Sequence, residues 1–189
     1  MILYKCPQFN MFWYEVPKVG CCSLKHFCDE NNYSYKSVRT KHLYGHRKYF
    51  QFAFVRNPWD RLVSCFLDKT KRTVGTKYQL RAYRKYIDSN FTEFVHGIST
   101  DDVNNCDNHH RLQYNLINHD YVNFIGRFEQ FQKDFDYICN KVGISDSKLP
   151  HRNKSKRTHY TEYYNDETRS IVAEKYAKDI EYFNYEFGK

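Results

Sequence analysis

Two strand-to-helix transitions constrain the fold of this chain more than any other feature. An aromatic or β-branched run ends abruptly and a helix-favouring segment follows, first in "MFWYEVPKVGCCSLKHF" and again in "YFQFAFVRNPWDRLVSCF". Aromatic and β-branched residues favour strands, whereas apolar residues at helical spacing after a capping residue favour helices. Strands that alternate with helices predict an α/β fold with a central, mainly parallel sheet.

The residues at the ends of these segments predict where each element begins. The first strand covers residues 11–16, and Ser23 is the predicted N-cap of the helix that follows. The second strand covers residues 49–55, after which Asn57 caps a helix that has Pro58 at its first position.

The rest of the chain continues the alternation. A third strand is predicted at residues 121–126, followed by a helix that ends at Gly143. Asn165 is the predicted cap of a C-terminal helix, and residues 69–118 are interpreted as short helices. Because no Gly/Ser linker or internal repeat interrupts the 189 residues, residues 1–189 are predicted to form a single domain.

Charge and cysteine content narrow the class of partner. The formal net charge is +8, which favours an anionic ligand such as a nucleotide, a nucleic acid, an acidic glycan or a membrane surface. The seven cysteines include no C-x-x-C pair, so no metal site is predicted. The N-terminal residues form no long apolar run, which predicts no signal peptide or membrane span. The expected location is the cytoplasm, or the Golgi lumen if the sequence is a fragment of a longer secretory protein.

The first loop has the composition of a phosphate-binding turn. Between strand and helix it offers Lys18 and the backbone N–H groups of six residues, which are Val19, Gly20, Cys21, Cys22, Ser23 and Leu24. Consecutive N–H groups at a helix N-terminus bind anions. The alternative is an ordinary strand–turn–helix with a surface lysine.

The second transition offers cations where a triphosphatase needs an acid. In "RNPWDRLVS", Arg56 ends the strand, and Arg61 and Ser64 follow on one helix face. Guanidinium and hydroxyl groups bind phosphate oxygens, whereas an NTPase ends this strand with a Mg²⁺-positioning acid. The pattern therefore favours a nucleoside with phosphates at both ends over a triphosphate, and requires no metal.

Four segments in order resemble the sulfotransferases that use 3′-phosphoadenosine 5′-phosphosulfate, especially the carbohydrate branch that acts on chondroitin and heparan. They are "PKVGCCSLKHF", "FVRNPWDRLVSCF", "YVNFIGRFEQFQKDF" and "YYNDETRSIVAEKYAKDIEYFNYEF". The resemblance implies a P-loop-like three-layer fold and in-line transfer of a sulfuryl group to a carbohydrate hydroxyl. It implies that Lys18 and the backbone of residues 19–24 hold the 5′-phosphosulfate, and that Arg56 and Ser64 hold the 3′-phosphate.

The resemblance also indicates a closing segment and a general base. "HRNKSKRTHY" resembles the segment that closes over the nucleotide, with Arg157 and then Lys156 as its ligands. A catalytic histidine lies near "KHLYGHRKYF" in heparan-type members, which indicates His46, with His42 second. The pair His109 and His110 is assigned to structure or to acceptor binding, and residues 69–118 to an acceptor-binding region.

Two other functions stay open from the sequence. A P-loop-type nucleotide kinase requires Mg²⁺ and ATP, and Arg56 at the end of the strand argues against it. A non-enzymatic polyanion-binding protein fits the charge and the many tyrosines, although no recognised nucleic-acid motif is present, so nucleic acid is not predicted as a partner. The sequence does not predict the oligomeric state or the acceptor.

Overall fold

The structure is a computed structural model that describes residues 1–39, 48–150 and 157–189. The chain divides into two compact units: Met1–Arg56 with Asn115–Ser155 forms unit 1, and Asn57–Tyr114 with Lys156–Lys189 forms unit 2. Because each unit takes residues from both halves of the chain, this division gives no boundary between consecutive domains. The single domain expected from the sequence stays a prediction.

Unit 1 is built on a five-stranded sheet formed by the described residues, with strand order β3-β1-β2-β4-β5. The strands are β1 (Ile2–Cys6), β2 (Met11–Tyr14), β3 (Lys36–Arg39), β4 (Phe50–Val55) and β5 (Phe124–Arg127). The pairs β2–β4 and β4–β5 are parallel, and β1 is antiparallel to both of its neighbours. The α/β class is therefore confirmed, but the sheet is mixed rather than mainly parallel.

The antiparallel part of the sheet follows from the short connection between β1 and β2. Residues 7–10 join the two strands through a 3-10 turn, and Asn10 adopts a left-handed φ of 48°. A parallel pair needs a crossover of a dozen or more residues, so a connection this short can only return the chain antiparallel.

Unit 1 also contains helices α1 (Cys21–Glu30) and α4 (Phe131–Val142). The Phe27 and Phe135 rings meet edge to face with centroids 4.9 Å apart, which packs the two helices together. Gly143 ends α4 with φ 80°, as predicted. The prediction of Ser23 as N-cap is wrong, because Gly20 adopts φ 91° and α1 begins directly after it.

Unit 2 is helical and has its own buried core. Its α-helices are α2 (Pro58–Leu67), α3 (Phe91–Ser99), α5 (Asp166–Lys175) and α6 (Ala177–Phe183). The predicted caps are confirmed: the Asn57 side chain accepts from the Trp59 N–H at 3.1 Å, and Asn165 forms a capping box with Thr168. The C-terminal helix is interrupted at Tyr176, so one predicted helix is two.

The short helices predicted for residues 69–118 are present in unit 2. A π-helical turn covers Asp68–Arg72, a 3-10 helix covers Arg81–Tyr86, and α3 follows. Aromatic side chains from these segments, including Tyr83, Tyr86 and Phe94, are buried in the core of unit 2.

Candidate active site

The loop between β2 and α1 has an unusual backbone. Lys18 adopts a left-handed φ of 73°, and Gly20 follows with φ 91°. Every other non-glycine residue with positive φ among the described residues is an asparagine, which tolerates that region. A left-handed conformation costs a lysine about 1–2 kcal/mol, and such strain concentrates at functional sites.

The same loop presents backbone donors. Within the described part of the chain, no protein acceptor binds the N–H groups of Val19, Gly20 and Cys22. The N–H groups of Ser23 and Leu24 donate instead to the Gly20 carbonyl, at 2.9 and 3.2 Å, and close the first turn of α1. N–H groups in a left-handed turn that leads into a helix form a concave site for an anion.

The two cysteines of the loop have different surroundings. Cys21 is buried, and its thiol donates to the Val16 carbonyl at 2.8 Å. Burial raises the pKa of the Cys21 thiol to about 12, so the thiol stays a neutral donor that ties the start of the helix to the end of the strand. Cys22 is exposed.

Arg56 joins the second predicted motif to the first. At the end of β4 its side chain is only 8% exposed, and Nη1 donates to the Lys18 carbonyl at 3.0 Å. The guanidinium carbon lies 4.1 Å from the centre of the Phe128 ring, a cation–π contact. Unit 1 therefore brings Lys18 and Arg56 together, and Arg56 supports the strained turn.

Unit 2 carries two other predicted ligands, Ser64 and Arg157. Ser64 is partly buried on α2, and Asp60 lies one turn earlier on the same helix. Arg157 Nη2 forms an ion pair with Asp60 Oδ1, and Arg157 Nη1 is buried without a hydrogen-bond partner in the described chain. Asp60 was not predicted as a site residue, because an acid in the first turn of a helix ordinarily interacts with the helix dipole.

Arg61, the remaining cation of the second motif, is buried and bonded to backbone carbonyl groups, which indicates a structural role. Its side chain is 2% exposed, and its two terminal nitrogens each donate at 2.8 Å, to the Arg111 and Asn108 carbonyls. These bonds hold the loop that contains the histidine pair. Three other predicted site residues, His42, His46 and Lys156, lie outside the described residues.

His110 lies in a buried polar network of unit 2. Its Nδ1 is 2.6 Å from the Tyr83 hydroxyl and its Nε2 is 3.0 Å from Asp101 Oδ2. Burial lowers the pKa of His110, although the Asp101 carboxylate opposes the shift. With both ring nitrogens engaged and the charged form disfavoured, His110 has the environment of a structural histidine.

A surface cleft of about 860 Å³ lies beside this network. Its rim includes the cations of the 3-10 helix, namely Arg81, Arg84 and Lys85, and it also contains Asp101, Tyr86 and His110. Interspersed cations, carboxylates and an aromatic ring offer donors and acceptors to a polar, hydroxyl-rich ligand. The cleft falls within the predicted acceptor-binding region, residues 69–118.

In residues 1–39, 48–150 and 157–189, no group of three His, Cys, Asp or Glu side chains is arranged to hold a metal ion. No helix in these ranges has the length and apolar character needed to cross a membrane. The expected location stays a prediction.

The strand–loop–helix with its strained lysine lies next to an arginine at the end of the neighbouring strand, in an α/β protein, and forms a candidate anion-binding loop. A sequence model described as the sulfotransferase family matches residues 3–186, which is nearly the whole chain. This chain therefore belongs to the sulfotransferase family.

Within the family, the chain is similar to carbohydrate sulfotransferases. It is 28% identical over 167 residues to carbohydrate sulfotransferase 11 of Rattus norvegicus and of Mus musculus, an alignment that covers 74% of this chain and 47% of each relative. It is 33% identical over 117 residues to carbohydrate sulfotransferase 14 of Danio rerio, covering 51% of this chain and 31% of that protein. The chain thus spans less than half the length of these curated relatives. No solved structure matches it.

Proposed function

We propose that this chain is a sulfotransferase that transfers the sulfuryl group of 3′-phosphoadenosine 5′-phosphosulfate to a hydroxyl group of a carbohydrate. The observation that carries the proposal is the strained Lys18 in a loop whose neighbouring N–H groups have no acceptor in the described chain. Family membership supports the reaction type, and the names of the relatives support a carbohydrate acceptor. A P-loop-like three-layer fold is part of the proposal.

The loop is proposed to hold the 5′ end of the donor. The N–H groups of residues 19–22 would donate to its phosphosulfate oxygens, while Ser23 and Leu24 keep the first helical turn closed. The donor, when bound, supplies the sulfuryl group. Lys18 and the fixed N–H groups then stabilise the negative charge that develops on the departing phosphate oxygen, without having to reorganise.

The 3′-phosphate is proposed to bind Arg56 and Ser64, on the ground of their spacing in the second motif. Arg157 is the proposed third ligand, and Lys156 beside it a fourth. The buried, unpartnered Nη1 of Arg157 fits this role, because a guanidinium nitrogen removed from water needs an acceptor.

The general base is proposed to be His46, with His42 as the second candidate. An imidazole with an ordinary pKa near 6.5 can accept the proton of the attacking hydroxyl group at neutral pH. The saccharide acceptor is proposed to bind the cleft beside the 3-10 helix Arg81–Tyr86, where both cations and carboxylates line the surface and can bind sugar hydroxyl groups.

Binding of adenosine 3′,5′-bisphosphate and turnover of a labelled donor test the proposal together. At a bisphosphate concentration 100 times its Kd, the chain should gain about 2.7 kcal/mol in unfolding free energy. Sulfate transfer to a glycan acceptor should persist in EDTA. Replacing Lys18 with Ala should lower the transfer rate about 100-fold or more, with little change in stability, because alanine bears a similar left-handed cost.

Lys133→Ala is the matched control, since Lys133 is an exposed lysine of unit 1 on α4. It should retain wild-type turnover. Full activity of Lys18→Ala would contradict the role of the loop. Mg²⁺-dependent ATP turnover without bisphosphate binding would favour a kinase instead.

A further inference from the structure

We infer that Asp60 is a positioning residue for nucleotide recognition: it orients the Arg157 guanidinium so that the free edge of that group receives the donor's 3′-phosphate. The inference rests on the proposed function and adds a residue that the sequence pattern did not indicate. It concerns groups that all lie in unit 2.

The Asp60–Arg157 pair is largely removed from solvent. The two side chains are 14% and 13% exposed, and they meet through Asp60 Oδ1 and Arg157 Nη2. An ion pair this buried carries a desolvation penalty, so it contributes little to stability unless its geometry is well satisfied. A role beyond stability is therefore the better explanation for an acid at this position.

Anchoring the backbone near Arg157 does not require this ion pair. The Tyr160 hydroxyl accepts from Asn57 Nδ2 at 3.2 Å and from the Gly188 N–H at 2.6 Å. The Tyr164 hydroxyl donates to the Trp59 carbonyl at 2.9 Å. These contacts already hold the segment at the start of α2, so the Asp60–Arg157 ion pair is not needed for that anchoring and can instead orient the Arg157 side chain.

One edge of the Arg157 guanidinium is left for a ligand. Nη2 binds Asp60, whereas Nη1 is buried and has no partner in the described chain. A buried donor without an acceptor is unfavourable, so this nitrogen can donate to an anion that reaches it. The planar guanidinium binds two anions at fixed directions, so a carboxylate on one nitrogen determines where the other nitrogen points.

The position of Asp60 on α2 indicates which anion is received. Asp60 and Ser64 are four residues apart, so they occupy neighbouring positions on the same helix face. Ser64 is a proposed ligand of the 3′-phosphate. Arg157, held by Asp60, is thereby directed to the helix face that is proposed to bind this phosphate.

The test compares affinities for adenosine 3′,5′-bisphosphate and adenosine 5′-phosphate by isothermal titration calorimetry, and takes their ratio as the 3′-phosphate selectivity. Asp60→Asn should lower this ratio about tenfold and Arg157→Ala about 10- to 100-fold, since charge-assisted hydrogen bonds are lost. Affinity for adenosine 5′-phosphate should change less than about twofold. The double variant should be no less selective than Arg157→Ala alone, because Asp60 acts through Arg157.

Asp166→Asn is the matched control, because Asp166 is also a first-turn acid of a unit 2 helix paired with an arginine, and it is exposed. It should leave the selectivity unchanged. If Asp60→Asn folds poorly, Asp60→Glu serves as the second variant, because it retains the charge at the helix start. Its longer side chain should also reduce the 3′-phosphate selectivity.

Unchanged or increased selectivity in both Asp60 variants, with Arg157→Ala impaired, would overturn the inference and leave the proposed function intact. A wild-type chain that does not prefer the bisphosphate would overturn both.

Discussion

Gly20 has no side chain, and both its backbone conformation and its close neighbours require this. The residue has φ 91°, and a Cβ built on it would lie 2.5 Å from the Phe131 ring. That ring packs edge to face on Phe54 with centroids 4.6 Å apart, so it has little freedom to withdraw. The turn that presents the loop N–H groups therefore depends on glycine for both its backbone conformation and its space.

Comparing Gly20→Ala with Gly143→Ala separates these two requirements. Gly143 has a similar φ of 80° but nothing within 4 Å of a built Cβ. Gly143→Ala should cost about 1 kcal/mol through backbone strain alone, and Gly20→Ala about 2–4 kcal/mol because overpacking is added. Urea unfolding measures both, and equal losses would show that the Phe131 contact contributes nothing.

At the scale of elements, the 3-10 helix Arg81–Tyr86 supplies the cations of the cleft. If an acidic saccharide binds there, replacing Arg84 and Lys85 with Gln should raise the acceptor KM about 2- to 5-fold, since each exposed charge contributes under about 1 kcal/mol. Bisphosphate affinity should not change. Lys77→Gln, a nearby change in unit 2 that is not in the cleft lining, is the control; an unaltered acceptor KM in the double variant would place the acceptor elsewhere.

The elements that the sequence predicted are those whose signals are local. The helix α2 was predicted because Asn57 and Pro58 mark its start, and α4 because Gly143 marks its end. The strands β1 and β3 were not predicted, because each carries a lysine, which is depleted in strands, and each is stabilised by pairing with other strands.

The candidate site shows the same difference between local contacts, which the sequence predicts, and long-range contacts, which it does not. Lys18 and the loop were predicted from contiguous residues, and the structure adds the strain at Lys18 and its tie to Arg56. The Asp60–Arg157 pair joins residues 97 apart in sequence. No sequence spacing encodes that contact, because it arises only when the last part of the chain packs on α2.

At the scale of the whole molecule, His110 makes the free energy of unfolding depend on pH. Its pKa is lowered in the folded chain by burial, so below about pH 6.5, the ordinary value, the unfolded chain binds a proton that the folded chain does not. Unfolding free energy should therefore fall as the pH drops from 7 towards 5, by at most about 1.4 kcal/mol per pH unit for one proton.

Urea unfolding of His110→Gln across this pH range provides the measurement. The variant should lose that part of the pH dependence, and His96→Gln, which removes a more exposed histidine of the same unit, should retain it. An identical slope in wild type and His110→Gln would contradict the argument.

Each unit is formed from two separate stretches of the chain, and this order affects how the protein folds during translation. The hairpin of β1 and β2 is synthesised before β4, but β4 gains its outer partner only when residues 124–127 appear, after all of residues 56–123. Translation at about 5–20 residues per second leaves that edge uncovered for several seconds, and an uncovered edge invites pairing with other chains. The core of unit 2 forms later still, because it includes Tyr176. The yield of the native protein therefore depends on how well the nascent chain is shielded until Tyr176 has been translated.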